Sequence, residues 1–384
     1  MTDSPAKSKP LSGIKVVELA GIGPGPYAGQ LLADMGADVV VIDRPGGGMP
    51  KAIDGRGKRS IVLDLKKSEA VEALLKLVVK ADVLIEGLRP GVTERIGVGP
   101  DACHAVNQRL IYGRMTGWGQ SGPWSRMAGH DINYIGMTGV LNAIGKDGQP
   151  PVPPLNMVGD FGGGSMFLVT GILAALIERG QTGKGNVVDA AIVDGTHSLM
   201  SFVHGMAGLG QWRTAREGNL LDGAAPFYRC YMTADGKFMA LGCIEPQFFA
   251  AMMERLPIDA EAYGGQHDRA EFAKQQELLE DVFATKTRDE WEAIFAGTDA
   301  CVTPVLDYVE AAAHPANAER QAVVEDGRWL HPQVAPRLAT QALATHFEIA
   351  IKGSNYASVL SEAGFTEADI SQLIVAGAVI ANKD

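Results

Sequence analysis

Two short segments of the sequence carry residue types and spacings that suggest chemistry. The first is a Gly/Pro stretch, AGIGPGPYAG at 20–29, which follows the β-branched run IKVVEL at 14–19. The second is GDFGGGS at 159–165, where Asp160 precedes three glycines and a long apolar run. Glycine between a strand and a helix lets an anionic ligand approach the backbone N–H groups. Both segments are therefore candidates for a ligand site.

The established signatures that these segments approach are incomplete. A dinucleotide fingerprint needs glycine at its first, third and sixth positions, but the sixth falls on Pro26 or Ala28. Arg59 stands where a phosphate loop needs Ser or Thr, and the DFG at 160–162 has no HRD-type loop before it. The sequence contains no GxSxG and no HExxH. Nicotinamide enzymes, kinases, serine hydrolases and zinc hydrolases are thus unsupported.

The elements around these segments alternate between strand and helix. IKVVEL at 14–19 and DVVVI at 38–42 flank a helical pattern through Met35, which predicts a βαβ unit and a parallel sheet. A helix over 65–80 and strands at 83–86 and 110–114 continue the alternation, as in a doubly wound α/β domain. A further strand and helix are predicted within 186–199, after an apolar helix that follows GDFGGGS.

The pattern changes near residue 225. Two strands are predicted around a turn at 235–236, followed by helices over 247–256, 275–285 and 289–295. This second region predicts a smaller α+β domain at 225–325. The stretch 332–353 is loop-rich, and a final helix is predicted to begin after Thr366 and to end at Gly377.

Composition excludes several classes of protein. The 384 residues have a net charge of −11 and are 46% hydrophobic, which excludes a disordered chain and argues against a nucleic-acid partner. Four cysteines without a CxxC pair predict neither a disulfide framework nor a zinc site. The start MTDSPAKSKP lacks a signal-peptide core, and the apolar run near 166–177 is too short to span a bilayer. We expect a cytoplasmic protein with no membrane span.

An arginine marks the end of the second predicted strand. In folds of this kind, Arg44 occupies a place where the chain meets a nucleotide ribose phosphate. Most arginines are exposed without binding a ligand, so Arg44 alone leaves both interpretations open.

A set of longer motifs resembles the family III CoA transferases and covers nearly the whole chain. The motifs are GKRSIVLDLK (57–66), ADVLIEGLRPGVTERIG (81–97), TGWGQSGP (116–123), AGHDINYIGMTG (128–139), GDFGGGSMF (159–167), GQTGKGNVVDAAIVDG (180–195) and EAGFTEADISQLIVAGAVI (362–380). Within the family, the sequence resembles the branch that racemises 2-methylacyl-CoA thioesters. His130 precedes Asp131 where many transferases have Tyr, and Glu245 lies where formyl-CoA transferase has a glycine-rich loop.

The resemblance implies a fold, an assembly and a catalytic set. The fold would be an α/β protein, with a large Rossmann-like domain over 1–200 completed by 330–384. A linker at 201–224 would lead to the small α+β domain. Two chains would interlock as a homodimer, with each active site between the large domain of one subunit and the small domain of the other. His130, Asp160 and Glu245 would be the catalytic residues.

The resemblance also implies an acyl-CoA substrate that carries its own CoA moiety, with no metal and no redox cofactor. Arginine can form two hydrogen bonds to one phosphate, so the cations of the predicted CoA site suit the phosphate groups. The expected CoA contacts fall into three groups. They are Arg44, Arg89, Arg95 and Lys66 for the phosphates; Ile22, Leu65, Gly87 and Leu88 along the adenine and pantetheine path; and Asp131 and Tyr134 at the thiol end.

Racemisation requires a proton to leave one face of the α-carbon and another to arrive at the opposite face. We assign His130 to one face and Asp160 to the other, with Glu245 orienting the imidazole and stabilising its charged form. The N–H groups of the glycines at 162–164 are candidates to hold the enolate oxygen. A simple strand-to-helix turn would also explain these glycines.

Two alternatives stay open. In a CoA transferase, the Asp160 carboxylate would attack the thioester and form a mixed anhydride. A catalytically idle CoA-binding or dimeric scaffold protein is the third hypothesis. His130 favours the racemase, because acid–base chemistry needs a second titrating group that the transferase does not.

Overall fold

The computed structural model describes residues 9–46 and 51–382. These residues form two compact units, the first from residues up to 138, 155–199 and from 315 onward, the second from 139–154 and 200–314. The first unit is therefore built from stretches at both ends of the described chain. Residues 139–154 and 201–224 group with the second unit, and the first resumes at 315, so the boundaries differ from the predicted 200, 225 and 330.

The described residues form strands and helices with the following bounds. The strands are β1 (Lys15–Leu19), β2 (Asp38–Asp43), β3 (Lys58–Leu63), β4 (Val83–Glu86), β5 (Ile111–Thr116), β6 (Val187–Ala191), β7 (Tyr228–Met232), β8 (Phe238–Gly242), β9 (Val302–Val305), β10 (Val323–Asp326), β11 (Trp329–Pro332) and β12 (Val379–Ile380). The α-helices are α1 (Pro24–Asp34), α2 (Ser68–Val78), α3 (Val92–Ile96), α4 (Pro100–Val106), α5 (Asp131–Met137), α6 (Met166–Thr182), α7 (Ile192–Leu199), α8 (Ser201–Gly208), α9 (Pro246–Met253), α10 (Ala260–Tyr263), α11 (Phe272–Phe283), α12 (Arg288–Phe295), α13 (Tyr308–Ala313), α14 (Pro315–Glu319), α15 (Tyr356–Glu362) and α16 (Glu367–Val375). Short 3₁₀ helices lie at Ile53–Gly55 and Leu141–Ala143, and a π-helix at Met157–Ser165.

The first unit is organised around a seven-stranded sheet in the order β12-β3-β2-β1-β4-β5-β6. Its strands are parallel except for β12, which pairs antiparallel with β3. Parallel sheets are covered on both faces, and their strands are accordingly rich in Val and Ile. On one face α2 packs through Leu74, and on the other α1 and α6 pack through Leu32 and Ile172. The α/β prediction with a parallel sheet is confirmed.

One strand of this sheet and the start of the helix after it were not predicted. Strand β3 lies inside the motif GKRSIVLDLK, and α2 begins at Ser68 rather than at residue 65. Strand β3 begins with Lys58, whose charged end is buried and lies 2.7 Å from Glu18 Oε2. The same Nζ donates to Pro26 O at 2.8 Å, so it also fixes the first turn of α1.

A long apolar helix crosses the first unit. The π-helix and α6 run continuously over Met157–Thr182, a length of 26 residues. By length and composition this is the one helix of the described residues that could cross a membrane, so the expectation of too short a run was wrong. Core helices share these properties. Leu168 and Ile172 are fully buried against the sheet, which identifies the helix as part of the core of this unit.

The second unit contains the three-stranded antiparallel sheet β7-β8-β9 and the helices α8 to α13. The predicted β7–β8 hairpin is confirmed, with Gly236 at φ +73° in its turn. The core centres on Trp291, which is fully buried and donates its indole N–H to Phe283 O. The helices predicted at 247–256, 275–285 and 289–295 correspond to α9, α11 and α12, with ends that differ by at most three residues and coincide at Phe295.

The C-terminal helix agrees with its sequence signals. Thr366 accepts the N–H of Asp369 and donates to its carboxylate, which closes a capping box at the start of α16. Gly377 follows the helix at φ +66°. Asn355, Ser60 and the β12–β3 pairing attach this C-terminal region to the sheet of the first unit.

Candidate active site

The predicted CoA contacts gather at the carboxyl ends of four adjacent parallel strands. Ile22 follows β1, Arg44 follows β2, Leu65 and Lys66 follow β3, and the segment 87–89 follows β4. The chain reverses its direction across the sheet between β1 and β4, and doubly wound folds bind ligands in the crevice at that point. The sheet thus brings these residues from the first 90 positions to one edge, and their binding of CoA there stays a prediction.

The accessibility of these residues separates them into two groups. Arg44, Lys66, Arg89 and Arg95 have exposed side chains, and Ile22 is 63% exposed. The charges of the four cations therefore remain open to solvent at the mouth of the crevice, and Gly87 is exposed as well. Leu65 and Leu88 form the second group, because they are half-buried and pack against the core beneath.

The segment after β4 is held rigidly. Glu86 is fully buried, and its Oε2 accepts the N–H of Leu88 at 2.7 Å. Its other oxygen pairs with Arg114 Nε at 2.9 Å, and Arg114 reaches Glu94 in α3 at 2.8 Å. This chain of ion pairs ties the segment 87–89 to α3, the helix that carries Arg95.

His130 lies immediately before α5, in the N-cap position, with an exposed side chain. Its backbone N–H donates to Asn133 Oδ1 at 3.0 Å, so the start of α5 fixes the main chain at the histidine. The hydroxyl of Tyr134 donates to Gly129 O, the residue before His130. The ring of Tyr134 fills the space beside Gly117, where a Cβ would come within 2.0 Å of it.

Asp160 lies in the first turn of the helix that begins at Met157. Its N–H donates to Asp131 Oδ1 at 2.7 Å, and Asn156 Nδ2 approaches its Oδ2 at 3.5 Å. Burial raises the pKa of the Asp160 carboxyl, the charge of Asp131 raises it further, and Asn156 and His130 oppose the rise. Asp131, which follows His130 in the chain, accepts the N–H of Asp160, so the backbone at His130 lies near the backbone at Asp160.

The glycines after Asp160 have a different role from the one considered in the sequence. They lie inside a continuous helix, so their N–H groups are not the free donors of a helix N-terminus. A Cβ on Gly163 would come within 2.4 Å of Thr196 Oγ1, and a Cβ on Gly195 within 1.9 Å of Gly163 O. These glycines allow α7 to pack closely against the π-helix. The π-helix is a rare conformation that is often found at functional sites.

Asp131 and Tyr134 were predicted at the thiol end of CoA. In the structure, both make protein contacts: Asp131 with the N–H of Asp160, and Tyr134 with Gly129 O. Burial is the main cause that raises the pKa of Asp131 and that of Tyr134. Their contacts with CoA stay a prediction, and their structural contacts were not visible in the sequence.

Glu245 belongs to the second unit, in the N-cap position of α9, and its side chain is exposed. The peptides before it are held by Gln266, whose Nε2 donates to both Cys243 O and Ile244 O at 2.9 Å. The sequence analysis missed Gln266, because 21 positions separate it from Glu245 and no local pattern links them. It places Glu245 on a fixed segment of backbone.

Known proteins resemble this chain over most of its length. The model of CoA-transferase family III matches residues 11–349. The chain belongs to CoA-transferase family III. It is 46% identical to a Mus musculus protein named alpha-methylacyl-CoA racemase, and 44% identical to its Homo sapiens namesake, each over 94% of this chain and 96% of the relative. An acetyl-CoA:oxalate CoA-transferase of Acetobacter aceti is 32% identical over 86% of this chain and 90% of its own.

Solved structures of the family share the fold. A CAIB/BAIF family protein from Brucella suis superimposes with a TM-score of 0.80 and 26% identity, covering 93% of this chain and all of that one. The Mycobacterium tuberculosis protein Rv3272 superimposes with a TM-score of 0.76 and 26% identity over 92% of this chain and 99% of its own. The two-unit α/β architecture is therefore that of the family.

Proposed function

We propose that this family III protein interconverts the enantiomers of 2-methylacyl-CoA thioesters. The relatives named alpha-methylacyl-CoA racemase agree with the function predicted from the sequence. In the proposed reaction a base breaks the α-C–H bond, the electron pair moves into the thioester as an enolate, and an acid forms a new C–H bond on the opposite face. Because only protons move, the reaction requires no redox cofactor, and we propose that it also proceeds without a metal, as the family resemblance implies.

The observation that carries this proposal is the place of Asp160 beside the segment that holds a second titrating group, His130. The N–H of Asp160 donates to Asp131, the residue that follows His130 at the start of α5, and burial raises the pKa of the Asp160 carboxyl. A raised pKa suits a carboxyl that must deliver a proton as an acid. A transferase nucleophile would need the ionised form instead, and would need no imidazole beside it. We assign His130 to one face of the α-carbon and Asp160 to the other.

We propose that the CoA moiety lies over the carboxyl ends of β1 to β4. Arg44, Arg89, Arg95 and Lys66 would bind its phosphates, since all four are exposed cations at that edge or on the adjoining α3.

We further propose an interlocked homodimer in which Glu245 of a second copy pairs with His130. The exposure of both side chains leaves each free to meet a partner. A carboxylate beside the imidazole would stabilise its protonated form and fix the ring. Glu245→Gln should then lower racemisation through His130 and shift the pH dependence of that step.

The test is racemisation of one enantiomer of a 2-methylacyl-CoA in D₂O, without any acceptor acid. We expect deuterium at the α-carbon together with loss of chirality, and we expect His130→Ala and Asp160→Ala to lower the rate at least about 100-fold. Exchange of CoA onto an added carboxylic acid, dependent on Asp160 and independent of His130, would instead establish the transferase. The relative from Acetobacter aceti, named a CoA-transferase, makes that the second candidate.

A further inference from the structure

A single carboxylate joins the two residues proposed to move protons. Asp131 follows His130 in the chain, and its Oδ1 accepts the N–H of Asp160 at 2.7 Å. Asp131 is thus joined to one proton-transfer residue by a peptide bond and to the backbone N–H of the other by a hydrogen bond.

The hydrogen bond from the Asp160 N–H to Asp131 takes the place of an ordinary N-cap at the start of the helix that begins at Met157. Asn156 occupies the N-cap position of the helix that starts at Met157, and asparagine is a favoured N-cap residue. Its side chain makes no capping hydrogen bond and approaches Asp160 Oδ2 instead. The first turn is capped by a carboxylate from a different helix, so the start of this helix is tied to the position of α5.

Asp131 is also costly to bury. The residue is 7% exposed, and its Oδ2 is buried without a hydrogen-bond partner among the described residues. A buried carboxylate oxygen that loses its water without gaining a partner destabilises the folded protein. Stability of the helix alone would be served better by a solvated cap.

The neighbouring sequence leaves space for this one contact. A Cβ on Gly159 would lie 2.4 Å from Asp131 Oδ1, closer than any real pair of such atoms. Ile135, one turn further along α5, is fully buried and anchors that helix in the core. The carboxylate is therefore held between a fixed helix and a glycine that permits its approach.

We propose that Asp131 is a positioning residue that sets the Asp160 carboxylate relative to the His130 imidazole. The inference rests on the proposed racemase function. Each group must lie within hydrogen-bond reach of the α-carbon, one on each face, and an error of about 1 Å costs about 100-fold in rate. A tie between the two backbones controls that geometry directly.

The proposal has a signature that loss of folding does not share. If Asp160 is displaced, His130 still removes a proton from its own face and returns deuterium to that face. Exchange then continues with retention of configuration, while inversion falls because delivery from the opposite face fails. The ratio of exchange to inversion, measured for the enantiomer whose exchange requires His130, reports the coupling between the two groups.

The experiment compares Asp131→Ala and Asp131→Asn with the wild type in D₂O, using both enantiomers. We expect Asp131→Ala to raise the exchange-to-inversion ratio at least about tenfold for the His130-dependent enantiomer. Asp131→Asn keeps an oxygen that accepts the Asp160 N–H, so its ratio should stay within about threefold of wild type. Asp369→Ala, which also removes a carboxylate that accepts a backbone N–H, should leave the ratio unchanged.

Gly159→Ala supplies a second variant that leaves every carboxylate in place. Its Cβ should displace Asp131 and reproduce the uncoupling of Asp131→Ala. If exchange and inversion fall in equal proportion in both variants, or stay at the wild-type values, the inference is overturned while the racemase function stands. If the wild type exchanges no α-proton from any 2-methylacyl-CoA, the proposed function fails and this inference fails with it.

Discussion

Gly23, which lies between the end of β1 and the start of α1, is next to the Asp160 carboxylate. A Cβ on Gly23 would lie 3.2 Å from Asp160 Oδ2, with no other side chain between them. Gly23 is the N-cap of α1 and has φ +68° and ψ −116°, a conformation that residues with a side chain rarely adopt. The loop after the first strand therefore forms one wall of the space around the Asp160 carboxylate.

Gly23→Ala should impair racemisation by crowding this carboxylate. The added methyl group would contact Oδ2, and the unfavourable φ would push the loop toward another conformation. We expect kcat to fall at least about tenfold, because small displacements of a reacting group are costly. Initial rates of racemisation, with thermal unfolding measured in parallel, would check this.

Gly13→Ala is the matched control. Gly13 also has a positive φ, of +88°, but a Cβ there would have no atom within 4 Å. It should lower the melting temperature, through the cost of about 1 kcal/mol for a side chain in the left-handed region, and leave kcat near wild type. Equal losses of activity in both variants would show that backbone strain, and not contact with Asp160, governs the effect.

The raised pKa of Asp160 predicts a gain in stability when its charge is removed. Burial, followed by the charge of Asp131, raises the pKa above the value in the unfolded chain. The folded state therefore holds the proton more tightly, and the resulting stability is lost as the pH rises from about 4 through the folded pKa. Asp160→Asn should melt at a higher temperature than wild type at pH 7, and the difference should vanish below about pH 4.

Asp369→Asn supplies the control of opposite sign. Hydrogen bonds from Thr366 lower the pKa of Asp369, so its ionised form stabilises the folded state. That variant should melt at a lower temperature at pH 7. An Asp160→Asn protein that is also destabilised at pH 7 would contradict the raised pKa, and with it the argument that Asp160 acts as an acid.

The parts of the fold that could be predicted are those with local signals. Apolar strands such as DVVVI, and the cap at Thr366, can be recognised from a few consecutive residues. Strand β3 cannot be recognised in this way, because it begins with Lys58, and a lysine in a sequence normally indicates a surface position. Its partner, Glu18, lies forty positions earlier, so no local pattern reveals the ion pair that permits its burial.

The site shows the same division. Its candidate residues were proposed from motifs, but the contacts that position them in the structure could not be predicted. The glycines at 162–164 carried a local pattern consistent with a ligand-binding turn, whereas the space beside Gly162 and Gly163 is filled by Leu199 and Thr196 of α7. Likewise, the hydrogen bond between Asp131 and the N–H of Asp160 depends on how two helices cross, which the spacing of residues does not encode.

The cations at the sheet edge predict a defect that depends on the nucleotide of the substrate. Arg89→Ala should raise KM with little change in kcat, because phosphate binding is the same in the ground state and the transition state. A hydrogen bond to a charged group contributes about 1.5–3 kcal/mol, which corresponds to roughly a 10- to 100-fold change in KM. Steady-state kinetics with a 2-methylacyl-CoA would measure it.

The same variant should behave as wild type toward a 2-methylacyl-pantetheine thioester, which lacks the nucleotide phosphates. The loss with the CoA thioester should also shrink at high salt, because ions screen exposed charges. Arg320→Ala removes the exposed arginine that immediately follows α14 and should change neither substrate's KM. A KM that rises equally for both thioesters would place Arg89 outside the phosphate site.

Gln266 predicts an effect on catalysis that passes through Glu245. Its amide donates to Cys243 O and Ile244 O, the two peptides before the glutamate, and no other side chain replaces both bonds in the described structure. Gln266→Ala should free that segment and lower kcat about tenfold with little change in KM. Gln266→Glu should be worse, because a carboxylate would face two carbonyl oxygens without a proton to donate.

A double-mutant cycle separates this effect from a general loss of stability. In a Glu245→Gln background, Gln266→Ala should reduce kcat little further, because residues that act through one another are not additive. Gln276→Ala removes a hydrogen bond that the side-chain amide donates to Ala224 O within the same unit, and it should leave kcat near wild type. If Gln266→Ala lowers kcat by the same factor with and without Glu245, the amide acts on the second unit as a whole, and Glu245 does not depend on it for its position.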